Sequence, residues 1–99
     1  MGNNNITVLV RIKAKPGMEE EVKKELLSLV TLIRAEAGCL LYDLNQSAED
    51  SSLFMFYENW VSKKDLDEHL AMPYMKSHMK KASEILAGPA EITLWERIG

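Results

Sequence analysis

The stretch LFMFYENWV, Leu53 to Val61, constrains the fold more than any other part of the chain. A half-buried β-strand alternates apolar and polar side chains. Here Phe54, Phe56 and Trp60 share one parity with Glu58, while Met55 and Tyr57 occupy the other. Both faces of the strand are apolar, so both need cover. Helices of the same chain can supply one cover. A second copy, with two sheets packed face to face in a symmetric dimer, is the simplest source of the other. An uncovered patch of that size on a small lone domain would be an aggregation hazard. Glu58 raises a separate question, because burial among aromatics disfavours a charged carboxylate and pushes its pKa up.

The rest of the chain switches between periods of two and of three to four. Ile6, Val8, Val10 and Ile12 alternate with Thr7, Leu9, Arg11 and Lys13, which predicts a first strand closed by Lys15-Pro16-Gly17. Val22, Leu26, Leu29, Val30 and Ile33 mark the buried stripe of a helix expected over Met18 to Ala37. Glu19, Glu20 and Glu21 suit the positive end of its dipole, and Gly38 is the expected stop. Leu40, Tyr42 and Leu44 alternate with Leu41, Asp43 and Asn45 as a second strand, and the turn residues Ala48 to Ser52 join it to the third in a hairpin.

Ser62-Lys63-Lys64-Asp65 has the form of a capping box, opening a short helix whose buried side is set by Leu66 and Leu70. Pro73 fits the first turn of a new helix striped by Met75, Met79, Ala82, Ile85 and Leu86 and ended by Gly88-Pro89. Ile92, Leu94, Glu96 and Ile98 alternate as the last strand. The order β-α-β-β-α-α-β predicts an α+β, ferredoxin-like monomer with a four-stranded antiparallel sheet. Residues 1–99 form one domain, with residues 1–5 expected to be disordered.

Composition removes several function classes. A net charge of −3 without an Arg-rich stripe excludes nucleic acid as the expected partner. No apolar run approaches a membrane span, and MGNNN lacks the apolar core of a signal peptide. Cys39 is the single cysteine, which fits a reducing cytoplasm. There is no phosphate loop, nucleophile elbow, Cys-x-x-Cys or His-Glu-x-x-His. His69 and His78 fall on either side of a proline break, so no bound metal is expected.

Glu58 and His69 are the candidate proton-transfer residues. A carboxyl with a raised pKa suits a general acid or base. Its bland alternative is an ion pair with Arg11 or Arg97. His69 follows Leu66 by one helical turn and is expected between helix and sheet, where a neutral imidazole can accept a phenolic proton. A core histidine bonded to a backbone carbonyl is the alternative. Trp60, Tyr42 and Tyr74 are candidate surfaces for a flat aromatic ligand, though core packing explains them equally. Met75 is a candidate pocket wall, and His78, one step off its stripe, is either a surface residue or a ligand contact.

Ala37-Gly38-Cys39 leading to Tyr42-Asp43-Leu44, then Tyr57-Glu58-x-Trp60, Leu66-x-x-His69-Leu70 and Leu86-x-Gly88-Pro89 occur in that order. In this arrangement nearly the whole chain resembles the antibiotic biosynthesis monooxygenase domain. The resemblance implies a homodimeric α+β barrel with a pocket between sheet and helices in each subunit. It also implies, for many members, oxygenation of quinols or polycyclic phenols with no cofactor, whereas some members degrade haem. Phe56 stands where polyketide-oxidising members carry Asn, and Tyr74 and Asn45 stand where other members carry His. His69 stands where haem-degrading members carry Trp, and their haem-binding His falls at Met79. The implied activity is cofactor-independent oxidation of a small quinol-like or phenolic aromatic by O2. The alternatives are an isomerase or lyase acting on a small oxygenated metabolite, or a non-catalytic dimer that binds an aromatic ligand.

Overall fold

The computed structural model describes residues 5–99. The expected disorder of residues 1–5 therefore falls, apart from Asn5, outside the described residues. The elements are β1 (Ile6–Lys13), α1 (Glu19–Arg34), β2 (Cys39–Gln46), β3 (Leu53–Trp60), α2 (Lys63–Leu70), α3 (Pro73–Ile85) and β4 (Glu91–Trp95). The four strands form one antiparallel sheet in the order β2-β3-β1-β4.

The parity of β3 decides which face carries the site. Phe54, Phe56, Glu58 and Trp60 are all buried beneath the helices, together with Val8 and Ile12 of β1. Met55 and Asn59 are partly buried, and Tyr57 is exposed on the opposite, helix-free face. The predicted stripe of α1 (Val22, Leu26, Leu29, Val30, Ile33) is buried against this inner face, and α1 packs chiefly over β2. Each large side chain so covered contributes about 1.5–3 kcal/mol.

Several local expectations are revised. Helix α1 ends at Arg34 rather than Ala37, and Gly38 does not terminate it. Positive φ belongs to Gly17 alone among the described residues (84°), at the turn before α1. Gly38 is needed for a different reason: a Cβ there would overlap the side chain of Asp65, so the chain must be bare to pass α2. Leu40 is not on the inner face. A bulge between Cys39 and Leu41 puts Cys39 opposite Trp60 and pushes Leu40 into solvent. On α2 the buried side is Leu66 and His69, while Leu70 is exposed. Strand β4 stops at Trp95, so Glu96 to Ile98 do not extend it.

The helix starts follow their sequence signals. Ser62 caps α2, its Oγ accepting from the Asp65 amide at 3.2 Å and donating to the Asp65 carboxylate at 2.7 Å. Pro73 occupies the first turn of α3. Beyond α3 the chain returns to the end of β1: the Lys15 amide donates to Ile85 O, and the Ala87 amide donates to Lys13 O. This clamp fixes α3 across the sheet and leaves a cavity between them. Among the described residues, no helix is long and apolar enough to cross a membrane.

Candidate active site

The cavity has a volume of about 780 Å³. Its floor is the inner face of the sheet, including Val8, Val10 and Phe56, and its walls come from α1, α2 and α3. Five of the residues singled out in the sequence line it: Glu58, His69, Tyr42, Met75 and His78. Trp60 and Tyr74 do not line it: Trp60 bonds Glu58 and packs on His69, while Tyr74 bonds Glu36, the partner of His69.

Glu58 is 3% exposed, and the indole Nε1 of Trp60 donates to its Oε1 at 2.9 Å. The two residues are neighbours on the same strand face, so the β-pleat alone brings them together. Burial pushes the Glu58 carboxyl up to about 7, the nearby Glu36 charge adds to the rise, and the indole bond partly offsets it. Arg11 lies opposite Met55 and Glu91 on the helix-free parity, so it cannot supply the ion pair considered for Glu58. Tyr42 pairs with Glu58 across the β2–β3 ladder. Its ring lies 4.7 Å from that of Phe56, and burial, with the Glu58 charge next in importance, raises its phenol above the ordinary tyrosine range. It therefore stays a neutral O–H.

His69 is 2% exposed, and its ring lies 4.5 Å from Trp60 at a tilt of 31°. Tyr42 meets it edge-on at 6.4 Å. Its Nδ1 is 2.8 Å from Oε2 of Glu36, and the Tyr74 hydroxyl donates to that same oxygen. Two donors on one carboxylate oxygen keep Nδ1 protonated and leave Nε2 as the nitrogen available to the cavity that His69 lines. Burial and the bond to Glu36 raise the Tyr74 phenol, which remains a donor. The partner of His69 is thus a carboxylate and not a backbone carbonyl.

Glu36 was not singled out in the sequence. It lies just past α1, separated from His69 by 33 positions, and nothing local announces the pairing. Glu25 was also missed. On α1 it borders the buried stripe between Val22 and Leu26, and that placement was the available signal. Its Oε2 lies 2.9 Å from His78 Nδ1, and Lys81 Nζ is 3.5 Å from its Oε1. Among the described residues, no group of three His, Cys, Asp or Glu side chains is arranged to hold a metal ion.

A ferredoxin-like sheet whose helices roof an apolar cavity holding an acid and a carboxylate-bound histidine defines a class of small α+β ligand-chemistry domains. Within that class, the chain belongs to the antibiotic biosynthesis monooxygenase family, whose model matches residues 5–81. The solved structure of PA3566 from Pseudomonas aeruginosa is 33% identical, with a TM-score of 0.92 over 97% of this chain and 96% of that one. The structure of Rv0793 from Mycobacterium tuberculosis aligns with a TM-score of 0.90, covering 96% of each chain at 27% identity. By sequence that protein, named "Putative monooxygenase Rv0793", is 32% identical over 90% of this chain and 87% of its own. The protein sll1783 of Synechocystis is 32% identical over 92% of this chain, which spans 62% of its length.

Proposed function

We propose that the chain is a homodimeric monooxygenase that oxidises a phenolic or quinol-like aromatic with O2, using no cofactor. The observation that carries this reading is the meeting of Glu58 and His69 on one large, mostly apolar cavity. Nε2 of His69 takes the phenolic proton, and Glu36 stabilises the imidazolium that results. The electron-rich phenolate passes an electron to O2. The two radicals combine at the ring carbon para to the oxygen, giving a hydroperoxide. The imidazolium of His69 supplies the hydroperoxide's proton and, again neutral, removes the ring proton, which breaks the O–O bond. Glu58 in its acid form protonates the departing hydroxide and regains its proton from the imidazolium. One oxygen atom ends in the quinone and the other in water: ArOH, with its para C–H, plus O2 gives quinone plus H2O. The substrate supplies all the electrons. Apolar walls keep water from the phenolate and protect the radical pair.

The dimer is supported by the helix-free face, where Tyr57 and Trp95 are 40% and 55% exposed. A reducing cytoplasm suits the half-buried free thiol of Cys39.

The test is O2 consumption by the purified protein with a panel of phenols and quinols, against blank rates and against His69→Ala and Glu58→Gln. Uptake above the blank that falls at least about 100-fold in His69→Ala supports the scheme. Turnover of an oxygenated metabolite without O2 uptake points instead to proton-transfer isomerisation by the same pair. Binding without turnover in any variant points to a ligand-binding role.

A further inference from the structure

The reaction above uses one end of the cavity. His78 and Glu25 form a second imidazole–carboxylate pair on the same cavity and take no part in it. The arrangement repeats that of His69 and Glu36. In both pairs Nδ1 is bound to a glutamate oxygen, at 2.8 and 2.9 Å, and Nε2 is the nitrogen left to the cavity. Both pairs are largely removed from solvent, with side-chain exposures of 3% and 11% for one and 11% and 13% for the other. Lys81 neutralises the second oxygen of Glu25 and holds it in place.

Glu25 lies within α1 and Glu36 just beyond its end, so at 1.5 Å per residue the two anchors are on the order of 15 Å apart along the helix. Apolar side chains, including Val10, Leu29 and Ala82, line the same cavity. A volume of about 780 Å³ falls in the range of about 300–1,000 Å³ that takes ligands of more than one ring. A single-ring quinol cannot engage both ends of such a site.

We propose that His78, positioned by Glu25, is a specificity-determining residue that hydrogen-bonds a second hydroxyl of the substrate, at the end of an elongated aromatic remote from the reacting phenol. This deepens the reading of the cavity as a site for hydroxylated aromatics, and rests on it. A hydroxyl is the group that fits. It donates to a neutral Nε2 and accepts from a protonated one. An anionic group is disfavoured, because the lysines nearest the space are already paired, Lys63 with Asp67 at 2.8 Å and Lys81 with Glu25 at 3.5 Å. The corresponding substrate class is an extended aromatic hydroxylated at both ends, which narrows the expectation of a small quinol.

The experiment is anaerobic titration calorimetry with two probe pairs: 4-hydroxybiphenyl against 4,4′-dihydroxybiphenyl, and 4-hydroxystilbene against 4,4′-dihydroxystilbene. Wild type is expected to bind at least one dihydroxy probe about tenfold more tightly than its monohydroxy partner. His78→Leu should lose that preference, binding the two members of each pair with equal affinity. His78→Gln, whose amide can still reach a hydroxyl, should keep part of it and serves as the folding control. Equal binding of both members of both pairs by wild type overturns the proposal. So does a preference that persists in His78→Leu, or no binding of any probe. Because O2 is excluded, the oxygenase reading is tested separately. A preference with no O2 uptake leaves this proposal standing and removes the oxidation. O2 uptake that depends on His69, without any preference, does the reverse.

Discussion

Glu58 is the residue where fold and function compete most directly. Its carboxyl titrates at about 7 in the folded chain, against an ordinary value near 4.5. Between those values the folded state holds a proton that the unfolded state has released, so stability declines as pH rises through this window. At 1.36 kcal/mol per pH unit the full decline is about 3 kcal/mol, complete above pH 7. Glu58→Gln removes the titration and keeps an oxygen for the Trp60 indole. Urea unfolding at fixed protein concentration should show wild type losing stability from pH 5 to pH 8 and the variant staying nearly flat. Parallel profiles would mean that Glu58 is not desolvated in solution. A second residue-scale expectation concerns Glu36. Glu36→Gln leaves His69 with a neutral partner and removes the charge that stabilises its imidazolium. O2 uptake should fall about 10- to 100-fold. Uptake equal to that of wild type would assign Glu36 to packing alone. Glu58 and His69 were legible in the sequence because each is placed by its own strand parity or helical turn. Glu36 and Glu25 were not, because their pairings span 33 and 53 positions and depend on how the helices cross the sheet.

At the scale of the element, the same division between local and distant causes recurs. The bounds of β1 and the starts of α2 and α3 followed from alternation, a Ser62 cap and Pro73 at a first turn, all signals contained in a few neighbouring residues. The three-element junction at Gly38 did not. A glycine after a helical stripe reads as a stop, yet α1 has already ended, and what Gly38 permits is the close passage of Asp65 from α2. Its carbonyl also accepts from the Val61 amide at 2.9 Å, tying the start of β2 to the end of β3. Asp65 cannot swing aside without giving up the Ser62 hydroxyl at 2.7 Å. Gly38→Ala should therefore destabilise by about 1–3 kcal/mol, the usual cost of overpacking a tight contact. It should also loosen α2 and with it His69, so thermal denaturation and hydrogen exchange at α2 amides are the checks. A variant as stable as wild type would show that the junction relaxes freely. The bulge at Leu40 was hidden for a related reason: Cys39, Leu40 and Leu41 are all apolar enough to take either face, and the register is set by β3.

At the scale of the whole molecule, the opening problem of a strand apolar on both faces has one face solved within the chain. Phe54, Phe56 and Trp60 lie under the helices, none more than 3% exposed. The other face offers Tyr57 beside Leu9, with Trp95 on the neighbouring strand opposite Thr7. Strand β4 is exposed along its length, including Ile92 and Leu94, which line the cavity. A second copy laid on the helix-free face would remove these aromatics from water, and the symmetry of such a contact makes Tyr57 count twice. Tyr57→Glu places two buried carboxylates in that contact and should weaken the dimer at least about 30-fold, equivalent to about 2 kcal/mol. The cavity should survive, since Tyr57 points away from Phe56 and Glu58 on the opposite parity. Analytical ultracentrifugation across a range of concentrations gives the dissociation constant, and near-ultraviolet circular dichroism reports whether Trp60 keeps its setting. A wild type that is dimeric, with a Tyr57→Glu chain that sediments as a folded monomer, would place the interface on this face. A wild type monomeric at the highest concentration, or a variant as tightly paired as the parent, would remove it and leave the outer aromatics of β3 and β4 to a different partner.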